Sequence, residues 1–237
     1  VVLSRNSPET GERFFSSCRH YNLPVKAGAF TSGQSTFPYI KSFDVSLFLS
    51  ANRENVMYAI QQGLPGGWVI PSGKKAEEDN GDELRIAFDF DGVIIDDEAE
   101  REYQKEGLAG FQHLEVTKAN TPHTPGPLNR LFTKIAAFQK MDAQRGKNDP
   151  YYKPAIRVSI VTSRGAPSEQ RLITTLKTLG MSAAELFLLD GLPKSNILAA
   201  LKPHIFFDDQ LTHLEKTATT VPSVLVPFGI TNFGKKS

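Results

Sequence analysis

Residues 84–100 read L-R-I-A-F-D-F-D-G-V-I-I-D-D-E-A-E, an apolar run followed by six carboxylates within twelve positions. The run Leu84–Phe88 predicts a short buried strand. Alternation along an extended chain places Asp89 and Asp91 on one side, and Gly92 lets the backbone turn sharply. Two carboxylates this close require a cation, and Mg²⁺ prefers oxygen ligands together with phosphate. The pattern D-x-D-G fits a pair of turn-forming aspartates equally well, so both interpretations stay open at this point.

Downstream of this stretch, short apolar runs alternate with amphipathic segments. Strands are expected at 156–161, 186–189, 205–207 and 224–226, and helices at 169–179, 194–201 and 211–217. Strands that alternate with single helices predict right-handed crossovers and a parallel sheet covered on both faces. Ligands of such sheets bind beyond the carboxyl ends of the strands, so the polar residues at those ends are the candidates for chemistry.

Polar side chains follow each predicted strand. The hydroxyl and backbone N–H groups of Thr162, Ser163 and Arg164 could hold phosphate oxygens at a helix start, although a simple helix cap is the alternative. Lys194 opens a helix, where its charge opposes the helix dipole and points to another use, although a solvated lysine is the alternative. Asp208 and Asp209 end a hydrophobic strand and could complete an Mg²⁺ shell. The order acid, hydroxyl, lysine, acid is far more specific than any one of these residues.

This constellation resembles the haloacid dehalogenase (HAD) superfamily of phosphotransferases, whose four motifs match Asp89 with Asp91, Thr162, Lys194, and Asp208 with Asp209. The carbon–halogen hydrolases of that superfamily lack an acid at the position of Asp91, so the resemblance implies phosphoryl transfer. Longer words, including A-F-D-F-D-G-V-I-I-D-D-E-A-E-R, V-T-S-R and P-H-I-F-F-D-D-Q, resemble the cytosolic 5′-nucleotidase type I family over nearly the whole chain. That resemblance implies a cytoplasmic, Mg²⁺-dependent hydrolase of nucleoside 5′-monophosphates, AMP prominent among them.

The resemblance also implies a role for each matched residue. Asp89 would be the nucleophile that forms an aspartyl-phosphate, and Asp91 the general acid and then the base that activates water. The phosphoryl group would be held by Thr162, Ser163, Arg164 and Lys194. The metal would be bound by Asp89, Asp91 (through its backbone carbonyl), Asp208 and Asp209, with the direct ligand of the last pair left open.

The segment between Asp89 and Thr162 far exceeds the dozen or so residues that a parallel crossover needs. We therefore expect a mostly helical cap at about 96–154. Within it we expect a helix over 97–106, begun by Asp96, Asp97, Glu98 and Glu100 and ended by Gly107. Irregular chain at 112–127, a helix from residue 128 and a polar loop at 142–154 follow. Candidates for contacting the base or ribose are Phe111, His113, and Tyr151 or Tyr152. Core packing or a loop surface is the alternative for each of these four residues.

Two domains are expected. Residues 1–80 form a degenerate α/β, HAD-like half domain that ends in a polar linker at 71–82, and residues 81–237 form the catalytic domain. Residues 4–8 match 163–167 at an offset of 159, and later segments match at 158. A duplication is preferred over a generic α/β pattern. Asp208-Asp209 corresponds to Ser50-Ala51 and Lys194 to Thr36, so the first copy has lost the site. Whether it packs against the catalytic domain or mediates dimerisation is open.

Composition narrows the classes of function. The chain has 27 basic and 26 acidic residues, which gives no argument for a nucleic-acid or acidic-membrane partner. The single cysteine, Cys18, excludes an intrachain disulfide and fits a reducing compartment. No apolar stretch approaches the roughly 18 residues of a membrane span. No signal peptide is visible, and the initial Val1 leads us to expect a missing natural beginning. The alternatives to a nucleotidase are a phosphatase of another small metabolite, such as a phosphosugar, and a non-catalytic nucleotide- or protein-binding module.

Overall fold

The computed structural model describes residues 1–72, 83–147, 149 and 151–233, and it separates into the compact units Val1–Val45 and Ser46–Ser237. The first unit contains strand β1 (Val2–Ser4), helix α1 (Pro8–His20) and strand β2 (Gly28–Phe30). The two strands pair in parallel, with Val2 opposite Gly28. Phe14, Phe15 and Phe30 form an aromatic cluster with ring centroids 5.5–6.1 Å apart. This cluster packs the helix onto the strands.

The second unit is an α/β sheet with helical connections. Its strands are β3 (Phe48–Ser50), β4 (Gly66–Val69), β5 (Leu84–Phe88), β6 (Ile156–Thr162), β7 (Glu185–Leu188), β8 (Ile205–Asp208) and β9 (Ser223–Leu225). Its helices are α2 (Arg53–Gln61), α3 (Glu98–Thr117), α4 (Asn129–Gly146), α5 (Glu169–Thr178), α6 (Lys194–Leu201), α7 (Leu211–Thr217) and α8 (Gly229–Phe233). These bounds agree with the predicted elements after residue 155 to within two residues, apart from the unpredicted α8.

The strand order in this sheet is β3-β4-β9-β8-β5-β6-β7, and every pair is parallel except β4 with β9. The predicted class, an α/β fold with a mostly parallel HAD-like Rossmannoid sheet, is thereby confirmed. β5 lies between β6 and β8, with Phe88 opposite both Ile160 and Phe207. The carboxyl ends of these three neighbouring strands consequently meet at one edge.

The main core lies against the centre of the sheet. The Phe88 ring stacks on Phe207 with centroids 5.1 Å apart and tilts against Phe132 of α4 at 4.7 Å. Phe88, Phe132, Ile160 and Phe207 are all at most 2 % exposed. Burial of β5 and β6 toward their carboxyl ends explains why both strands read as largely apolar runs rather than as alternating ones.

Two predictions about the inserted segment are wrong. The chain was expected to be irregular from residue 112, but α3 continues to Thr117. Gly107 does interrupt this helix, with φ 67° and ψ −165°, and a second helical stretch then resumes. The polar loop expected from residue 142 begins later, because α4 runs to Gly146. Asp142 is buried in that helix and accepts a hydrogen bond from the backbone N–H of Ala155 at 2.9 Å.

The internal repeat has a counterpart in the backbone. Thr31 donates its N–H to the carbonyl of Ser4, and Leu189 donates to Thr162, a pair displaced by 158 positions. The N–H groups of Ser32 and Gly33 donate to the carbonyls of Asn6 and Arg5, respectively. At the same offset, the N–H groups of Asp190 and Gly191 donate to the carbonyls of Arg164 and Ser163. In the structure the offset of 158 therefore holds from Ser4 onward, whereas the sequence match placed 159 there. A common origin of the two segments stays a prediction.

The predicted domain boundary falls in the polar segment 71–82, of which 73–82 lies outside the described residues. Within the second unit, β3 and β4 join the same sheet as β5, β6, β7 and β8 through β9. Among the described residues, none of the helices combines the length and the apolar character that crossing a bilayer requires.

Candidate active site

Four sequence motifs meet at the carboxyl edge of β5, β6 and β8. Asp89 directly follows β5, Thr162 ends β6, Asp208 ends β8, and Lys194 begins α6. All four side chains are buried, with at most 4 % of each residue exposed. The structure therefore brings together the acid, hydroxyl, lysine and acid that the sequence placed at successive strand ends.

The ammonium group of Lys194 bridges two carboxylates. Its Nζ lies 2.8 Å from Oδ2 of Asp89 and 2.7 Å from Oδ2 of Asp208. The remaining oxygens are held locally, because Asp89 Oδ1 accepts the N–H of Phe90 at 2.7 Å and Asp208 Oδ1 accepts that of Gln210 at 2.8 Å. Each carboxylate is thus fixed in orientation by one backbone donor and one cation.

Burial and charge move the pKa values of these groups. Burial raises the pKa of Asp89 to about 6, although the charge of Lys194 lowers it in part. For Lys194, burial acts to lower the pKa, but the charges of Asp208 and Asp89 raise it above the ordinary value by a larger amount. Burial likewise acts to raise the pKa of Asp208, yet Lys194 and His213 hold it below its usual range. Lys194 therefore stays charged, and Asp89 is mainly a carboxylate at neutral pH.

Asp209 is the carboxylate with the least compensation. It is 5 % exposed, and its Oδ1 has no hydrogen-bond partner among the described residues. Burial and the charges of Asp208 and Asp89 raise its pKa well above the usual value. Gly92 packs directly against this carboxylate at φ +65°, and a Cβ there would overlap it. A buried carboxylate oxygen that has no donor among the described residues is costly unless a cation reaches it.

The arrangement fits a divalent cation. Asp89, Asp208 and His213 offer ligand atoms within 4.8 Å of one another. Asp209 follows Asp208 in the chain, and its Oδ1 has no hydrogen-bond partner among the described residues. These ligands are mostly carboxylate oxygens, which suit Mg²⁺ better than a soft metal. His213 was not predicted; its Nδ1 lies 3.2 Å from Asp208 Oδ2. Its position two residues into α7 gave no signal of a ligand.

Arg164 was predicted to bind phosphate, and in the structure its guanidinium contacts carboxylates. Nε and Nη2 each donate to one oxygen of Asp91 at 2.7 Å. Nη1 donates to Glu115, a fully buried residue of α3. Of the two other loop residues, Ser163 lines the site cavity, and Thr162 Oγ1 accepts the backbone N–H of Arg164 at 3.3 Å.

A cavity of about 450 Å³ opens over Asp89 and Asp91. One wall is the loop after β6, and the opposite wall is α3, which contributes Tyr103, Leu108, Phe111 and Gln112. The predicted substrate contact Phe111 thus faces the site. Tyr103, Leu108 and Gln112 were missed because nothing in the helical pattern shows which face of α3 turns toward the sheet edge.

The other predicted substrate contacts lie elsewhere. His113 lines a separate groove formed by α3 itself, with Glu102, Glu106 and Lys118. Tyr151 is 90 % exposed. Tyr152 donates its hydroxyl to Asp142, in a different cavity that includes Ile156 at the start of β6. Because parallel strands start at the edge opposite the site, Tyr152 is remote from Asp89.

Comparison with known proteins agrees with this geometry. The family model described as 5′-nucleotidase matches residues 1–233. The chain is 33 % identical over 216 residues to human cytosolic 5′-nucleotidase 1B. The aligned region covers 91 % of this chain and 35 % of the human protein. The chain thus spans about a third of the length of that relative. No solved structure matches. With its four motifs assembled at one sheet edge and a family match over nearly its whole length, the chain belongs to the 5′-nucleotidase family.

Proposed function

We propose that this chain hydrolyses nucleoside 5′-monophosphates, AMP preferentially, to nucleoside and phosphate in the cytoplasm, through an aspartyl-phosphate on Asp89. The observation that carries the proposal is the bridge of Lys194 to Asp89 and Asp208 at 2.8 and 2.7 Å, beside a cavity large enough for a small organic phosphate. The name of the human relative supports both the nucleotide substrate and the cytosolic location.

In the first half-reaction, a carboxylate oxygen of Asp89 attacks phosphorus and the bond from phosphorus to the 5′-oxygen breaks. Asp91, which lines the cavity, gives the leaving oxygen its proton. The charged Lys194 neutralises the phosphoryl oxygens, and the hydroxyl and backbone N–H groups of the loop 162–164 orient them. In the second half-reaction, Asp91 takes a proton from water, the water oxygen attacks phosphorus, and the bond to Asp89 breaks. Phosphate leaves and both carboxyl groups return to their starting state.

A magnesium ion suits the donor set of Asp89, Asp208 and Asp209, together with the backbone carbonyl of Asp91. When bound, it would neutralise the charge of the phosphate. The unpartnered Oδ1 of buried Asp209 supports this assignment. Asp208 already accepts hydrogen bonds from Lys194 and from the backbone N–H of Gln210, and His213 lies nearby. We therefore propose Asp209 as the direct metal ligand of the pair, because its Oδ1 is the more available oxygen.

The test is the substitution Asp89→Asn, assayed as phosphate release from AMP with Mg²⁺. We expect phosphate release to fall to background while the circular-dichroism spectrum stays that of the folded chain, because an amide cannot act as the nucleophile. The matched control is Asp96→Asn in the same acidic run, whose Oδ1 accepts the N–H of Glu98 at 3.2 Å and whose Oδ2 lies 3.9 Å from Nη2 of Arg101. The control should keep its activity, and an Asp89→Asn protein as active as wild type would overturn the assignment.

The choice of substrate needs its own assay. A panel of phosphomonoesters that includes AMP, other nucleoside monophosphates and phosphosugars is compared by kcat/KM for the wild-type chain. Selectivity for nucleotides supports the proposal, since the cavity wall presents the aromatic side chains of Tyr103 and Phe111 to a base. Equal or better turnover of phosphosugars would replace it by a general phosphatase. Binding of AMP without turnover would indicate a non-catalytic module.

A further inference from the structure

The guanidinium of Arg164 is docked on the carboxylate of Asp91 in a bidentate fork. Its two donors, Nε and Nη2, reach separate oxygens of Asp91 at the same distance, 2.7 Å. The Arg164 side chain is 3 % exposed, whereas that of Asp91 is 25 % exposed. Parallel N–H···O bonds of this type fix both the distance and the plane of a carboxylate. The part of Asp91 that stays accessible is therefore turned toward the cavity.

Arg164 is itself held from three sides. Its Nη1 donates to the carboxylate of Glu115, and its guanidinium carbon lies 5.1 Å from the centroid of the Phe90 ring and 5.2 Å from that of Phe111. Stacking between two aromatic faces suits a flat, delocalised cation and would be lost with lysine. Glu115 and Phe111 both belong to α3, so this helix fixes the arginine that fixes Asp91.

Glu115 is anchored in turn by a second buried arginine. Arg171 of α5 donates through Nη1 to Glu115 at 2.9 Å and through Nη2 to Glu98 at 2.7 Å, and Lys118 pairs with Glu98. Buried ion pairs of this kind add little net stability relative to well-packed apolar residues, because desolvation offsets their attraction, although removing one partner of an existing pair is costly. Precise placement of a group is a better account of their presence than stability is.

We infer that Arg164 is a positioning residue for Asp91, held in place by Glu115 of α3. The inference rests on the proposed function, in which Asp91 transfers the protons. The fork uses one lone-pair position on each oxygen of Asp91, and a carboxylate has about four. A position on each oxygen thus stays available for the proton that goes to the 5′-oxygen in the first half-reaction and comes from water in the second.

The test compares two substrates that differ in their need for a general acid. The 5′-oxygen of AMP must be protonated as it leaves, whereas p-nitrophenolate leaves as a stable anion. For Arg164→Lys we expect kcat/KM for AMP to fall about 100-fold, the scale of a misplaced general acid, and the loss for p-nitrophenyl phosphate to be at least about tenfold smaller. Lysine keeps the charge but cannot form the fork.

The matched control is Arg171→Lys, an equally buried arginine that shares Glu115 but has no contact with Asp91 among those the structure shows. Its losses on the two substrates should be equal. Glu115→Gln, which keeps an acceptor for Arg164, should show the selective loss on AMP in a milder form. Thermal melts of all three variants report whether they fold.

The outcomes separate the two proposals. If wild type does not hydrolyse AMP, the proposed function fails. If wild type is active, and Arg164→Lys lowers kcat/KM equally for both substrates through a higher KM, then the Arg164 side chain binds phosphate. That result would overturn the positioning role. The same selective loss in Arg171→Lys would assign the role to the whole network and overturn the specific contact of Arg164 with Asp91.

Discussion

Replacing Glu115 by glutamine removes one negative charge at the point where Arg164, Arg171 and His123 converge. Burial acts to raise the pKa of Glu115, but the contact with His123, whose Nε2 lies 3.2 Å from Oε2, and the charge of Arg164 lower the pKa from 4.5 to about 2. At 1.36 kcal/mol per pH unit, this difference corresponds to about 3 kcal/mol of folding free energy at neutral pH. Removing the charge also leaves two buried guanidinium groups less well paired, which adds to the cost.

The sign of the pH dependence follows from the lowered pKa. The stabilisation is fully present above the unfolded value of 4.5 and is lost as the pH falls toward 2. Urea unfolding at pH 7 and pH 3.5 measures it for wild type and Glu115→Gln. We expect a gap in unfolding free energy of about 3 kcal/mol at pH 7 that narrows by about 1.4 kcal/mol at pH 3.5.

The control for this experiment is Glu106→Gln, which removes a carboxylate of the same helix that pairs with Lys105 in solvent. Surface pairs contribute little, so this variant should follow wild type at both pH values. A gap for Glu115→Gln that does not change with pH would refute the reasoning, because the cost would then come from packing rather than from the charge.

Two further predictions concern the metal side of the site. Gly92→Ala combines a strained φ of +65° with overlap on Asp209. We expect the variant to lose at least about 1 kcal/mol of unfolding free energy and to lose phosphate release as well. The control is Gly63→Ala, at φ +74° with open space around it, which introduces the backbone strain alone and should keep its phosphate release. Chelation with EDTA should stop phosphate release from AMP and excess Mg²⁺ should restore it, so undiminished release in EDTA would exclude the metal role of Asp208 and Asp209.

The parts of the site that were predictable are those carried by local pattern. Leu84–Phe88 is a short apolar run, and Asp89 and Asp91 come directly after it. The strand, and the position of both carboxylates at its carboxyl end, could therefore be predicted from the same stretch of sequence. Lys194 was noticeable because a cation at a helix start is unfavourable without another partner. The structure supplies that partner, since its Nζ bridges Asp89 and Asp208.

The parts that were missed depend on contacts between distant segments. Gly107 was read as a helix end and residues 112–127 as irregular chain, but the glycine lies at a kink within α3, which continues to Thr117. Tertiary packing sustains this second stretch, because Glu115 within it is fully buried against Arg164 and Arg171. No local signal links Glu115 to arginines some fifty residues away.

The same limit applies to Arg164. Its place after Thr162 and Ser163 predicted a phosphate contact through hydroxyl and backbone N–H groups, and gave no sign that its side chain lies on Asp91 and between two phenylalanine rings. The loop position is local information, and the direction of the side chain is set by α3. Its predicted contact with phosphate stays a prediction that the two-substrate comparison tests.

The central claim is that Asp89 becomes phosphorylated during turnover. Wild-type chain is mixed with excess AMP and Mg²⁺, quenched in acid within a single turnover, digested, and analysed by mass spectrometry for phosphopeptides. Our account predicts a phosphate, labile to hydroxylamine as an acyl phosphate is, on the peptide that contains Asp89, and none in Asp89→Asn. Phosphate release with no phosphorylated peptide, or a phosphate on another residue, would contradict it.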